Sequence, residues 1–188
     1  MDMTQDKRDL LVKTAIKLFA QNGFDNTSTA SISKTSKVAT GTLFHYFKNK
    51  EDLIISAYAE TKQELFEIIA SNISEKDSLE TIIKKTYKHC ILWGLDNPNE
   101  TKFIFQVKTS PYNVLAKKKV EDQTKYFHEM IQHGIKQKMI KNIPLDLIED
   151  LMTNHMLSSI SYFVSKKSND VRLIDRLADS LWDSIKRD

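Results

Sequence analysis

Four glycines and three prolines are all the conformational punctuation in 188 residues. A β-sandwich or barrel of this length turns about every 8–12 residues and needs many more turn formers than that. The chain therefore reads as long stretches of helix with few interruptions. Hydrophobic residues at 40% and charged residues at 28% supply enough apolar surface for a packed core, unlike a disordered chain. The length suits one or two compact units.

Several classes of function fall away at this point. No GxGxxG or GxxxxGK[ST] run occurs, so a glycine-rich phosphate cradle is excluded. A single cysteine, Cys90, excludes a disulfide framework and makes a reducing compartment the default. No apolar run approaches the ~18 residues of a membrane span. The start, Met1-Asp2-Met3-Thr4-Gln5-Asp6, is acidic and polar, unlike a signal peptide. A cytoplasmic protein with no membrane partner is the expectation. The charge is uneven: the first 50 residues hold eight Lys/Arg against four Asp, whereas the remaining 138 hold 20 Lys/Arg against 21 Asp/Glu. A basic first quarter suits an anionic partner, although a solvated surface produces the same imbalance.

Helical periods fill the chain. Leu11, Ala15, Leu18 and Phe19 share one face, and Asn22-Gly23 ends that helix with a residue free to turn left-handed. Thr27 and Ser28 are N-cap types, and Ser28 to Ser36 has room for about two turns around Ile32. After Lys37-Val38-Ala39, Thr40 to Phe47 forms another short helix with Leu43 and Phe47 facing inward together. Asn49 caps the next helix, with Asp52 placed to reach back, and that helix runs on through Leu53, Ile54, Ala57, Leu65, Ile68 and Ile69. Lys50 in its first turn opposes the helix dipole unless an anion compensates. Further helices are expected at about 78–97, 99–109, 112–139, 144–166 and 170–186, with Gly134 a weak point and Pro144 in a first position. The count is about nine, with no strand and no repeat. The fold class is all-α.

Two short helices joined by a tight turn and packed on a longer first helix make a helix-turn-helix at about 28–47. Any small three-helix bundle shares that outline. The second short helix is the discriminating element: its inner face needs only Leu43 and Phe47, yet it also carries Thr42, Phe44, His45 and Tyr46.

At these residues the chain becomes recognisable. Ala15-Ile16-Lys17-Leu18-Phe19, Gly23-Phe24, Thr27-Ser28, Ile32-Ser33 and the run Gly41-Thr42-Leu43-Phe44-His45-Tyr46-Phe47-Lys48-Asn49-Lys50-Glu51-Asp52-Leu53 resemble the DNA-binding domain of TetR-family transcriptional regulators, in order and spacing. The resemblance covers about a quarter of the chain. Two positions depart from the family pattern: Ser36-Lys37 stands where Ala-Gly is usual, and Ala39 where Ser usually opens the recognition helix. A non-glycine residue in a left-handed turn costs on the order of 1 kcal/mol. Thr40 is expected to cap instead of Ala39.

The resemblance implies a three-helix DNA-binding domain over residues 1–48 and a helical effector-binding and dimerisation domain over 49–188. It implies base-edge or thymine-methyl contacts from Thr40, Gly41, Thr42, Phe44 and His45, and phosphate contacts from Thr27, Ser28, Tyr46 and Lys50, with Lys37 as an addition. Tyr46 could equally pack on the first helix. The implied partners are double-stranded operator DNA, a second copy of the chain and a small-molecule effector of unknown identity. The dimer would form through the last two helices, with Leu151, Met156, Ile160, Phe163, Ile174, Leu177, Leu181 and Trp182 as interface candidates, although two such stripes could also cover one another within one chain. Trp93, Phe103, Phe105, Phe127, Met130, Met152 and His155 are ligand-pocket candidates, and each could instead be core. A repressor released by a small hydrophobic ligand is the leading expectation. A regulator of the same fold governed by a protein partner, or by no ligand, stays open. An enzyme has only His89, Cys90, His128 and His133 to draw on, without metal-ligand or nucleophile spacing. No catalytic residue, metal or cofactor is expected.

Overall fold

A computed structural model describes residues 3–187 as ten helices, with no strand among them. They are α1 (Met3–Asn22), α2 (Thr29–Ser36), α3 (Thr40–Tyr46), α4 (Lys50–Ser71), α5 (Leu79–Asp96), α6 (Pro98–Lys108), α7 (Asn113–Lys119), α8 (Glu121–Lys136), α9 (Leu145–Lys166) and α10 (Val171–Ile185). Two compact units share the chain: residues 1–63 with 97–120, and residues 64–96 with 121–188. Neither is continuous in sequence, and α4 passes from one into the other.

The first unit is built on α1, which packs against α2, α3 and α6. Its inner face is the predicted one: Leu11, Ala15 and Phe19 are fully buried, with Val12 and Ile16 beside them. Ile32 from α2, Leu43 and Phe47 from the α3 segment, and Leu53, Ile54 and Ala57 from α4 close the core. Arg8 ties the bundle at one end. Its guanidinium bonds Glu60 on α4 at 2.5 Å and lies 5.4 Å from the Phe47 ring centroid. The Glu60 hydrogen bond holds the Arg8 pKa above its ordinary value. At the other end, Phe103 of α6 enters the same core, 6.0 Å from Phe19 and 6.1 Å from Phe24 between ring centroids. Tyr112 meets Phe24 edge to face at 5.3 Å.

The second unit packs α5 against α9 and α10 around Ile83, Tyr87, Ile91, Ile160, Phe163, Ile174, Leu181 and Ile185. One antiparallel bridge, Ile140 to Lys186, ties the α8–α9 connection to the C-terminal segment.

The helix expected from Tyr112 to about Met139 is two helices, which makes the count ten rather than nine. Val120 separates them: it is buried in the core of the first unit, whereas Ile131 of α8 is buried in the second. The residues on either side answer to different cores, and the continuous period cannot serve both. Gly134 proves to be a packing position inside α8, since a Cβ there would stand 2.6 Å from Leu79 and 2.9 Å from Ile140. Pro144, expected as the first residue of α9, is its N-cap, and the helix starts one position later at Leu145.

Candidate nucleic-acid interface

Local chemistry sets the helix-turn-helix. Gly23 takes φ +80° and donates its N–H to Phe19 O, ending α1. Ser28 caps α2, its hydroxyl accepting from Ser31 N at 3.1 Å. The turn after α2 is left-handed at Lys37 (φ 57°), and that N–H donates back to Lys34 and Ser33. A lysine thus sits where glycine carries no steric cost. α3 starts without a side-chain cap. Its N-cap is Ala39, and Thr40 is already the first helical residue, so the expected cap at Thr40 does not form. Asn49 caps α4 through its side-chain oxygen, accepting from Asp52 N at 2.8 Å. Asp52 reaches back one residue further than expected, to Lys48 N at 2.9 Å.

With Leu43 and Phe47 buried, α3 turns its other side to solvent. Thr40, Gly41 and His45 are exposed, Thr42 and Tyr46 are half-buried, and the Phe44 ring is 49% exposed. That is an apolar ring left in water on a seven-residue helix whose packing needs are met elsewhere. Ser28, Lys37 and Lys48 are exposed around it. Tyr46 is shared: its ring meets His45 edge to face at 5.4 Å and Phe47 at 6.3 Å.

Two of the predicted contact residues are occupied within the protein. Thr27 is buried, with its hydroxyl donating to Gly23 O at 2.8 Å, so it fastens the α1–α2 turn. Lys50 donates its ammonium to Phe24 O, a neutral carbonyl and not the anion that its place in the first turn of α4 calls for.

The pocket candidates divide between the two units. Phe103 is core of the first unit, and Phe105 on the same helix is 47% exposed. In the second unit Trp93 is buried, Phe127 lies 5.8 Å from Phe66, and Met152 packs against the core. Met130 lines an open groove of about 300 Å³ with Leu79, Ile82, Tyr126, Glu129, His133 and Met139. His155 directs Nδ1 to the Tyr87 hydroxyl at 3.1 Å, and that hydroxyl donates to Ser159 at 2.6 Å. Burial raises the Tyr87 pKa and lowers that of His155. Sequence pattern alone does not single out Tyr87 or Ser159, because one sits in an apolar period and the other among several serines.

Of the interface candidates, Ile160, Phe163, Ile174, Leu181 and Trp182 are buried within the protomer. Leu151 is 45% exposed, and Met156 and Leu177 are half-buried. Leu147 and Tyr162 on α9 are also exposed.

A short, polar and aromatic helix displayed on a three-helix scaffold by a tight turn defines a helix-turn-helix DNA-binding protein. The comparisons with known proteins agree. Residues 11–57 match the family model described as bacterial regulatory proteins, tetR family. The fatty acid metabolism regulator protein of Bacillus subtilis is 23% identical, over 91% of this chain and 94% of its own length. A crystal structure of a tetR-family transcription regulator from Shewanella sp. PV-4 superposes with a TM-score of 0.89 at 25% identity, covering 97% of this chain and 99% of that one. The fatty acid degradation regulator FadR of Bacillus halodurans shares the fold, with a TM-score of 0.75 at 20% identity over 94% of each chain. Residues 11–57 are thus a TetR-family DNA-binding domain, and the comparisons support a TetR-family transcriptional regulator. The protein is a DNA-binding regulator and not an enzyme. Among the described residues no helix is long and apolar enough to cross a membrane, and no group of His, Cys, Asp or Glu could hold a metal ion.

Proposed function

We propose that the protein is a homodimeric repressor that binds a palindromic operator and leaves it when a small hydrophobic effector binds the second unit. The observation that carries the reading is the outer face of α3, where Thr40, Gly41, Phe44 and His45 stand exposed while Leu43 and Phe47 hold the helix down. In this reading Thr40, Thr42 and His45 hydrogen-bond base edges, and Phe44 packs on thymine methyls. Gly41 faces open space, with nothing within 4 Å of where a Cβ would stand, and lets the backbone approach the groove closely. Ser28, Lys37 and Tyr46 contact phosphates and set register. Thr27 and Lys50 shape the surface from within.

One module is too small for specific binding, and two recognition helices about 34–36 Å apart meet successive major grooves. We assign the dimer surface to the outward stripes of α9 and α10. Leu147, Leu151 and Tyr162 with Ser158 and Ser161 form one, and the exposed Ser180 and Ser184 with the half-buried Leu173 and Leu177, which also pack against the core, the other. The serines allow close helix approach. The effector enters the second unit, where Met130, Met152, Phe127 and His155 are half-buried. The B. subtilis and B. halodurans relatives are named for fatty acid metabolism and degradation, which supports an apolar, chain-like effector. An effector acts only through a difference in affinity between the DNA-bound and released states. The protein would work in the cytoplasm, where its operator is.

Selection of randomised duplex by the purified protein at about physiological salt, followed by sequencing, tests the reading. A palindrome with half-sites about 10 base pairs apart is expected. Recovery of no motif by effector-free protein overturns it.

A further inference from the structure

We propose that α7 is a second DNA-contacting surface, whose lysines Lys117, Lys118 and Lys119 engage phosphates of the duplex beyond the α3 contacts. The proposal rests on the reading of the chain as an operator-binding protein.

Charge is the first observation. The unit that carries the helix-turn-helix holds fourteen Lys/Arg against eight Asp/Glu, a net of +6, and the other unit holds fourteen against seventeen, a net of −3. Most of that positive charge is not in the N-terminal segment. Residues 97–120 contribute five lysines against one glutamate, a net of +4. Sequence order hides this, because the segment lies in the middle of the chain.

Placement is the second. Tyr112, the N-cap of α7, meets Phe24 at 5.3 Å, and Phe24 precedes by four residues the Ser28 that caps α2. α7 therefore starts beside the turn that leads into the phosphate-contacting end of the helix-turn-helix. Its seven residues span only about 10 Å, and a lysine side chain extends a further turn's length from the axis. On this proposal a duplex seated on α3 and the start of α2 would continue past that point.

Orientation is the third. Ala116 and Val120 are buried, one turn apart on the inner side. On a helix Lys118 then points away from the core, and Lys117 and Lys119 flank it. All three are exposed, and the described ion pairs include none of them. The last turn of a helix favours cations, which accounts for one lysine there and not for three unneutralised ones.

The test measures affinity of the full chain for a mixed-sequence duplex of about 40 base pairs, as a function of salt from about 50 to 200 mM. Each neutralised phosphate contributes about 0.9 to the slope of log affinity against log salt. Replacing Lys117, Lys118 and Lys119 together by Gln is expected to make the slope shallower by about 2–3 per bound protomer, and Lys118→Gln alone by about 0.9. Lys125, Lys136 and Lys138, all exposed in the other unit, replaced together by Gln remove the same net charge and should leave the slope unchanged. An unchanged slope in the α7 variants, or an equal loss in the control, overturns the proposal and leaves the operator reading standing. Failure of the wild-type protein to bind any duplex overturns the operator reading itself.

Discussion

Tyr87 offers the sharpest test of the packing in the second unit. Its phenol is fully buried and donates to Ser159 at 2.6 Å, while the His155 ring lies edge to face with Nδ1 at 3.1 Å. The phenol has one proton, so once it donates to Ser159 the His155 contact must be an Nδ1–H donating to the phenol oxygen. Tyr87→Phe removes a neutral bond worth about 1 kcal/mol and leaves the buried Ser159 and the half-buried His155 short of a partner, for a total of about 2 kcal/mol. Ser159→Ala should cost about 1 kcal/mol or less, because the phenol can turn its proton to His155 Nδ1 once the imidazole carries its own proton on Nε2. The double variant should cost about as much as Tyr87→Phe alone, a coupling of about 1 kcal/mol. Both tryptophans, Trp93 and Trp182, lie in this unit and are buried, so their fluorescence follows its unfolding in urea. With a denaturant slope of about 1–3 kcal/mol per molar, the Tyr87→Phe midpoint should fall by about 1 M. Protomer concentration must be held constant, since association would shift the midpoint. Additive costs in the double variant, or no shift for Tyr87→Phe, would refute the network.

Other outcomes follow from single positions. Gly134→Ala should change the stability of the same unit by less than about 1 kcal/mol, read from the thermal midpoint, because the terminal methyls of Leu79 and Ile140 must move aside while the helix gains about 1 kcal/mol of propensity. Leu151→Glu should leave the protomer folded, since the side chain is 45% exposed, and convert a sedimenting dimer to monomer with loss of operator binding. His155 and His89 are both held below their ordinary pKa by burial, so folding favours their neutral forms. As pH falls below about 6.5, the unfolded chain takes up protons first and stability is lost until the folded values are passed. Urea midpoints between about pH 7 and 5 should show the decline, and His155→Gln should flatten it.

The helix-turn-helix is legible in the sequence because each of its devices is local. Gly23 at positive φ, the Ser28 cap, the left-handed Lys37 and the Asn49 cap each act within about one turn of chain, and a neighbour list suffices to see them. The inward pair Leu43 and Phe47 follows from helical period alone. The α7–α8 break is not legible, because it depends on Val120 and Ile131 joining different cores. The same gap explains the interface candidates. A period marks Phe163 and Leu151 as apolar positions on α9, but cannot say that Phe163 meets α5 and α10 while Leu151 meets solvent. Phe103 is drawn toward a ligand pocket by its neighbours in sequence, and only the fold brings it against Phe19 and Phe24.

That aromatic junction also decides how the gene can be cut. Residues 1–63 alone would leave Phe19 and Phe24 without Phe103 and Tyr112, so a DNA-binding fragment made by stopping the chain there lacks part of its own floor. A working miniature would have to splice 97–120 back on through a linker. The intact chain avoids the problem by lending out α6 and α7 and taking them back, which makes the pair one strap, joined to the sequence of the second unit before α6 and after α7.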